Sequence, residues 1–435
     1  MEKLTDNYLF SLIFERGIYF LLGLVKIFII LSRLLPDAYV EYVSVLGLTT
    51  FVATVSRLGV EIYMKKYLTE WTNTDSFSSV IDNVWHLTRI PLLSMAVFSI
   101  ITGIVEFQFD LYPSVSPLQI MAIIFLISVG GLVYEYQISV KEDNILIITQ
   151  IISSGMFIVL YVLLLPFNAT LKTFIPILLL ANLVSIFIYL FTNYIATEQR
   201  TAGNGQVSDI NQVSIQIGTS FFFLASTLGI RLLPISFIDT IENEIITSIA
   251  LTITMIDIIF IFFNQGTNYL IISNAKEIRY IPDYIGRGYF VVSLLGLLGA
   301  IVLNNLNIIS EILADINPDY GKYLVIAVLL LGYPKIQLML SSAIAEGYAI
   351  RKDRLQVLSR IRIVIFLLIA GLLTIGLLNS IPTPELMIIY IIIAAEFLLS
   401  TSSTFVIRDQ FRSVKQLVMF TIPQFFPIVF VLLTF

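Results

Sequence analysis

The residues best suited to chemistry in this sequence are basic side chains within long apolar stretches. The tetrapeptide Arg-Leu-Leu-Pro ends the first apolar stretch at residues 33–36 and recurs at residues 231–234, at the end of the seventh. A charge inside a membrane-spanning helix costs on the order of 2.5 to 3.5 kcal/mol on insertion scales and usually faces a bundle interior or a wet cavity. Recurrence of Arg33 as Arg231 indicates a shared role in two halves of the chain, and arginine is well suited to binding anions.

Spacing places further polar groups on the same helical stripes. In the first stretch, Glu15, Tyr19, Lys26 and Arg33 are separated by four, seven and seven residues and therefore share one face. The second stretch has a polar face that includes one more cation, formed by Gly47, Thr50, Thr54, Arg57 and Glu61.

The second half of the chain carries a similar set of intramembrane polar groups. Arg231 shares a face with Ser220 and Thr227, Asp257 lies near the middle of the eighth stretch, and Lys335 lies at similar depth in the tenth. Simpler interpretations of these charges remain open. Arg33 and Arg231 lie near helix ends, from which an arginine side chain can extend to the lipid headgroups. Asp257 and Lys335 can also be a buried structural ion pair.

Composition identifies the class of protein. Of the 435 residues, 57% are hydrophobic and only 13% are charged, about half the charge of a soluble domain. The net charge of −5 makes nucleic acid an unfavourable partner. The chain has no cysteine and one histidine, His86, which excludes disulfides, thiolate chemistry and a histidine-cluster metal site. We expect no metal and no cofactor.

The apolar stretches are long enough to cross a hydrocarbon core, which takes about 20 residues in a helix. They are continuous rather than alternating, which favours helices over a β-barrel. We predict spans at residues 8–35, 40–63, 83–105, 117–138, 145–166, 172–195, 213–236, 244–273, 284–305, 321–347, 358–379 and 385–406, and a further apolar segment at 414–435.

A polar break at residues 196–212 divides these spans. The predicted organisation is an N-terminal six-helix lobe at 1–196, a cytoplasmic linker at 197–212, a C-terminal six-helix lobe at 213–406 and an additional apolar segment at 407–435. Basic residues collect in alternate loops, which places those loops and the N-terminus in the cytoplasm. Six spans return the chain to its starting side, so we expect a parallel repeat about an axis along the membrane normal. The predicted fold class is an all-α polytopic membrane protein.

This layout resembles the polysaccharide flippases, which carry O-antigen and other lipid-linked oligosaccharides. They belong to the multidrug, oligosaccharidyl-lipid and polysaccharide exporter (MOP) superfamily, whose fold is MATE-like. The resemblance depends on the two six-helix lobes, the polar linker, the short outer loops, the charged stripes and the segments at residues 32–37 and 56–61. It implies a plasma (inner) membrane transporter of polysaccharide and lipopolysaccharide biosynthesis. Such a protein passes polyprenyl-diphosphate-linked oligosaccharide from the cytoplasmic to the outer leaflet by alternating access.

The resemblance also suggests roles for the buried polar residues. A cationic cleft for the diphosphate would be formed by Lys26, Arg33, Arg57, Arg231 and Lys335. Tyr19 would contact sugars, and Asp257 would be the site of proton or sodium coupling. The expected partners are the lipid-linked oligosaccharide, membrane lipids, and the polysaccharide polymerase and glycosyltransferases of the same pathway.

Two alternatives remain. A MATE-like exporter of drugs or metabolites shares the fold, but we expect it to line its cavity with acids or aromatics for cationic substrates. A membrane-embedded polysaccharide polymerase or ligase also has many spans, but commonly needs a large outer loop or an acidic metal-binding motif.

Overall fold

The computed structural model describes most of the chain. The described residues are 18, 21–60 apart from 24, 28 and 31, then 77–140, 143–198, 210–236, 281, 283–305, 333–351, 354–378 and 384–434. The predicted span at 244–273, with Asp257, lies outside them, as do Tyr19 and most of the predicted linker.

The described part of the chain is helical, with no strands beyond an isolated bridge between Leu34 and Ala169. Residues described between 21 and 33 are helical and lead into α1. The α-helices are α1 (Pro36–Ser56), α2 (Phe77–Phe109), α3 (Pro117–Val140), α4 (Asp143–Leu164), α5 (Leu171–Glu198), α6 (Ile210–Ser236), α7 (Asp283–Asn305), α8 (Tyr333–Arg351), α9 (Leu355–Leu378), α10 (Pro384–Val406), α11 (Val414–Thr421) and α12 (Phe426–Thr434).

Length and composition make this chain a multi-pass membrane protein. Because hydrocarbon offers no hydrogen-bond partner, a spanning segment must satisfy its own backbone, and a helix does so. Six described segments are long and apolar enough to cross: Asp37–Ser56, Thr88–Phe109, Pro117–Tyr136, Ile147–Leu164, Leu171–Thr192 and Leu355–Leu373. Three shorter apolar helices are Gly286–Val302, Tyr390–Val406 and Val414–Phe430.

The chain divides into two compact units, residues 1–228 and 229–435. This division falls inside α6, whereas sequence analysis places the lobe boundary at the polar linker, most of which lies outside the described residues. The predicted lobe limits therefore stay a prediction.

The first unit has an aromatic core between α1, α4 and α5. Tyr42 meets Phe174 edge-on, with ring centroids 5.0 Å apart, and Phe174 also packs against Tyr161 at 5.5 Å. All three side chains are buried. This packing fixes one end of α1 against α4 and α5.

The predicted second span, 40–63, is interrupted, because α1 ends at Ser56. Residues 57–59 form a turn in which Leu58 has φ 55° and Gly59 has φ 74°. A Cβ on Gly59 would lie 2.4 Å from the Phe221 backbone nitrogen on α6, so only glycine fits this approach. The turn holds Arg57 at the end of α1.

In the second unit, α6, α9 and α10 share an apolar core that includes Ile230, Ile369 and Leu399. The last predicted segment is helical but broken, because α11 and α12 are separated by a 3₁₀ turn at Ile422–Phe425 that contains Pro423. Phe430 of α12 packs against Leu297 on α7.

Candidate functional site: a cationic cavity in the first unit

The first unit encloses a cavity of about 470 Å³. Its walls come from the segment before α1 and from α1, α3, α4 and α5. On each helix, the lining positions recur at steps of three, four or seven residues, so one face of each helix contributes. The lining residues are Leu22, Gly23, Lys26, Tyr42, Leu46, Thr50, Thr54, Arg57, Leu126, Ile127, Gly130, Gly131, Tyr134, Gln150, Ser153, Ser154, Phe157, Leu178, Asn182, Ser185, Ile186 and Tyr189.

Two of the predicted cations line this cavity together. Lys26 comes from the segment before α1, and its Nζ lies 4.9 Å from the centroid of the Phe157 ring on α4. The ring face attracts the ammonium through its quadrupole and so holds it against α4. Lys26 is half-buried, and its long aliphatic stem allows the ammonium to lie at the cavity wall.

Arg57 is positioned by two neighbours. Its Nη2 donates to Thr54 Oγ1 at 2.9 Å, one helical turn away. Its guanidinium lies directly against the backbone of Gly131 on α3, where an added Cβ would be 1.5 Å from Nη1. A residue larger than glycine at position 131 would therefore displace the guanidinium.

The charge of the cavity lining has one sign. Lys26 and Arg57 are its charged residues among those the structure describes, and no aspartate or glutamate lines it. Neutral polar side chains complete the polar part of the wall, and Tyr42, Tyr134, Phe157 and Tyr189 are its aromatic residues. A concave site with one sign of charge and low-dielectric walls concentrates ions of the opposite sign. This arrangement favours an anionic ligand.

The wall formed by α4 and α5 carries an uncharged hydrogen-bonded network. Tyr189 donates its hydroxyl to Gln150 Oε1 at 2.7 Å, and Gln150 Nε2 donates to Ser154 Oγ at 2.7 Å. Ser153 and Ser185 join their hydroxyls between the two helices at 2.7 Å. These contacts fix the two helix faces relative to each other.

Arg33, the third predicted cation of the first half, lies elsewhere. Its Nη1 donates to the Leu165 carbonyl, and its guanidinium lies 4.4 Å from the Phe167 ring centroid. Its backbone carbonyl accepts from the Ala169 amide at 2.7 Å. Arg33 thus ties the end of the first segment to the α4–α5 connection, and it is not among the cavity-lining residues. Its role as a substrate cation stays a prediction.

Arg231 lies in the second unit, within a chain of buried ion pairs. Its Nε and Nη2 donate to the two carboxylate oxygens of Glu396 at 2.9 and 3.2 Å. Its Nη2 also lies 3.9 Å from Glu346 Oε1, to which Arg362 Nη2 donates at 2.6 Å. Arg362 donates to Ser403 Oγ at 2.8 Å as well. The order Glu396, Arg231, Glu346, Arg362 alternates in sign and has no net charge.

Lys335, the last predicted cation, lies on α8 and is 2% exposed. The substrate roles of Arg231 and Lys335 stay predictions. Tyr19 and Asp257 lie outside the described residues. Among the described residues, no group of three or more histidine, aspartate or glutamate side chains is arranged to hold a metal.

Several residues that form these sites were not predicted from the sequence. Gly131 and Asn182 line the cavity, and Arg362 is fully buried in α9. A usable signal was present on α4, where Gln150, Ser153, Ser154 and Phe157 follow helical spacing. For Arg362, the apolar residues on both sides were that signal.

Solved structures with a similar fold are MATE transporters. The eukaryotic MATE transporter AtDTX14 matches with a TM-score of 0.54 and 11% identity over 97% of this chain and 98% of that chain. A variant of the Vibrio cholerae MATE transporter VcmN matches with a TM-score of 0.56 and 13% identity over 94% and 98%. A MATE protein in the bent conformation matches with a TM-score of 0.50 and 12% identity over 100% and 97%.

In sequence, no protein-family model matches the chain, and no curated protein matches it either. At these identities, the likeness to solved structures establishes the fold and not the substrate. The predicted fold class is therefore confirmed: the chain is an all-α, multi-pass membrane protein with the fold of MATE transporters.

Proposed function

We propose that this protein is a membrane transporter that carries an anionic, lipid-linked headgroup across the bilayer. The substrate class is a polyprenyl-diphosphate-linked oligosaccharide, moved from the cytoplasmic to the outer leaflet. The observation that carries this proposal is the cavity of the first unit, whose lining has two cations, Lys26 and Arg57, and no carboxylate. The MATE-type fold supports transport as the activity.

The charge of the diphosphate is the physical obstacle to its crossing. An unpaired ion in a medium of low dielectric constant costs tens of kcal/mol on a Born estimate. A cavity with fixed cations replaces water around the phosphate oxygens through charge-assisted hydrogen bonds, and the forked guanidinium of Arg57 suits two of those oxygens at once. The ring of Phe157 keeps the Lys26 ammonium at the cavity wall.

In this mechanism, the polyprenyl tail stays in the bilayer while the headgroup passes through the protein by alternating access. The protein resides in the plasma (inner) membrane with its N-terminus in the cytoplasm. It takes its substrate from glycosyltransferases on the cytoplasmic side and delivers it to a polysaccharide polymerase on the other, as in O-antigen and lipopolysaccharide synthesis. Membrane lipids surround it.

Coupling to a proton or sodium gradient is part of the proposal. Asp257 is the candidate, because it is an acid near the middle of a predicted span. Asp257→Asn is expected to abolish the dependence of transport on the gradient while headgroup binding persists. Unchanged gradient dependence in this variant would remove that role.

A MATE-like exporter of drugs or metabolites is the second candidate, favoured by the fold of the solved structures. Cationic amphiphiles require acidic or aromatic partners, and this cavity supplies aromatic rings but no acids among its described residues. A polysaccharide polymerase or ligase ranks third, because the similar folds are those of transporters.

The proposal is tested by reconstituting the purified protein in liposomes with a labelled polyprenyl-diphosphate oligosaccharide. The sidedness of the label is followed with and without an imposed ion gradient. Protein-dependent movement of the label, lost in the Lys26→Ala/Arg57→Ala double variant, is the expected result. A label that stays in its leaflet, beside active export of a cationic dye, would favour the second candidate.

A further inference from the structure

The two sides of the cavity differ in chemistry. The segment before α1 and the end of α1 contribute the cations Lys26 and Arg57. The face shared by α4 and α5 contributes hydroxyl and amide groups but no charge. A ligand that fills the cavity therefore meets both fixed positive charge and a set of neutral hydrogen-bonding groups.

The neutral groups differ in how far they are buried. Gln150, Ser153, Ser185 and Tyr189 are buried, and they bond to one another or to Ser154. Ser154 and Asn182 are more exposed and line the same cavity, and we call them the front residues. Gln150 holds Ser154 in place, whereas Asn182 is held by the Leu178 carbonyl of its own helix.

Each front residue keeps capacity for a ligand. Ser154 Oγ accepts from Gln150, which leaves the hydroxyl proton of Ser154 to donate. Asn182 uses one N–H to donate to the Leu178 carbonyl at 2.9 Å, and its amide has a second N–H and a carbonyl oxygen. Together they offer donors and an acceptor of the kind that hydroxyl-rich ligands require.

Ser154 and Asn182 lie at similar heights along α4 and α5, close to the Lys26 ammonium. Ser154 follows Ser153 in α4, and Asn182 is one turn from Ser185 in α5, so both flank the hydroxyl contact between those helices. Phe157 is one turn from Ser154, and its ring holds the Lys26 ammonium. A group bound at Ser154 and Asn182 would therefore adjoin an anion bound at Lys26.

We propose that Ser154 and Asn182 form a subsite for the sugar attached directly to the diphosphate, so that the cavity recognises a phosphate-linked sugar rather than a bare lipid phosphate. This inference rests on the proposed function and adds selectivity to it. The cavity volume agrees with it, because about 470 Å³ lies in the range of roughly 300–1,000 Å³ that accommodates a small-molecule ligand. One diphosphate and its first sugar together are the size of such a small-molecule ligand.

The test compares two probe lipids on the full-length protein in phosphatidylcholine nanodiscs. One probe is a short-chain polyprenyl diphosphate, and the other carries a single neutral hexose on the same diphosphate. The Ser154→Ala/Asn182→Ala double variant is expected to bind the glycosylated probe about tenfold more weakly, as the loss of two hydrogen bonds predicts. Its affinity for the bare diphosphate is expected to stay within about twofold.

Matched controls are Ser99→Ala on α2 and Thr192→Val on α5, whose hydroxyls donate to helix carbonyls away from the cavity. Neither control is expected to alter the affinity for either probe. Equal weakening for both probes in the double variant, or unchanged binding of the glycosylated probe, would overturn the sugar subsite while the proposed function stands. Wild-type protein that binds neither probe would overturn both.

Discussion

The two occurrences of Arg-Leu-Leu-Pro lead to different surroundings, and the contrast extends to the units that contain them. Arg33 anchors a helix end to the Leu165 carbonyl and the Phe167 ring. Arg231 is instead neutralised by Glu396 and Glu346 within a buried network. Lys26 and Arg57 of the first unit line a cavity whose described lining has no carboxylate. Similar basic residues thus line a cavity in one unit and join buried ion pairs in the other.

The number of buried charges therefore does not by itself identify a binding cleft. Burying two opposite charges together costs less than burying either one alone, so a neutral network of arginines and glutamates is compatible with a helix core. Cations that line a cavity are compatible with a membrane protein where water or an anion reaches them. Lys26 and Arg57 line a cavity whose described lining holds no carboxylate, and that lining is the basis on which we propose it as the ligand site.

The largest expected effect is on the second unit. Arg362→Ala leaves Glu346 buried with one fewer cation, and breaking a buried pair costs about 3–5 kcal/mol. We expect a loss of that order in the free energy of unfolding, measured in mixed micelles. The matched control is Arg360→Ala, two residues away on the same helix and exposed. Equal stability of the two variants would contradict the cohesive role of the network.

Substitution of the cavity cations is expected to weaken ligand binding more than it lowers the free energy of unfolding. Hydrogen bonds to charged groups contribute about 1.5–3 kcal/mol each, so Arg57→Ala and Lys26→Ala should each weaken diphosphate-lipid binding by roughly 10- to 100-fold. The free energy of unfolding should change far less than in Arg362→Ala. Affinity is measured by titration of the purified protein, with the exposed Arg89→Ala on α2 as the control. A cavity variant that is strongly destabilised yet binds the diphosphate lipid normally would show that Lys26 and Arg57 act in stability and not in binding.

A smaller effect is expected from the backbone that supports Arg57. Gly131→Ala places a methyl group where the guanidinium now lies, so the flexible arginine must swing away. Affinity for the diphosphate lipid should fall roughly three- to tenfold, the equivalent of about one hydrogen bond. Gly155→Ala on α4 is the control, because no atom lies within 4 Å of its added Cβ and Gly155 does not line the cavity. Indistinguishable affinities for the two alanine variants would show that Gly131 does not position Arg57.

The smallest effect concerns an exposed ion pair in the second unit, between Arg354 and Asp409. A hydrogen bond from Arg354 lowers the pKa of the Asp409 carboxyl below its usual range. A carboxyl with a lowered pKa stabilises the fold above the unfolded-state pKa of about 3.9, and the stabilisation is lost as the pH falls through the folded-state value. Because both groups are exposed, Asp409→Asn should change the unfolding midpoint little at pH 7. A loss of stability as large as that of Arg362→Ala would show that burial does not determine how much an ion pair stabilises this protein.

Much of the fold was predictable because apolar length governs membrane helices. The predicted spans at 117–138 and 385–406 agree with α3 and α10 within a few residues. The early end of α1 was not foreseen, since the close approach of Gly59 to Phe221 is a long-range contact. A helical stripe predicts which residues share a face, but not which neighbouring helix that face meets.

Part of the site was also predictable, because charged residues inside apolar stretches are recognisable in the sequence. Lys26 and Arg57 emerge as intramembrane cations from sequence, and the structure brings both to one cavity. Arg33 and Arg231 have the same local sequence, so the sequence predicts the same role for both. Their partners, Leu165 and Glu396, lie more than a hundred residues away in the chain. Only the tertiary arrangement separates them.

The decisive measurement is the charge selectivity of the cavity lined by Lys26 and Arg57. Purified wild-type protein and the Lys26→Ala/Arg57→Ala double variant would be titrated with a polyprenyl diphosphate and with a cationic amphiphile of equal chain length. We expect the wild type to prefer the diphosphate and the double variant to lose this preference. A wild type that favours the cation, with a double variant that binds the diphosphate unchanged, would contradict this expectation.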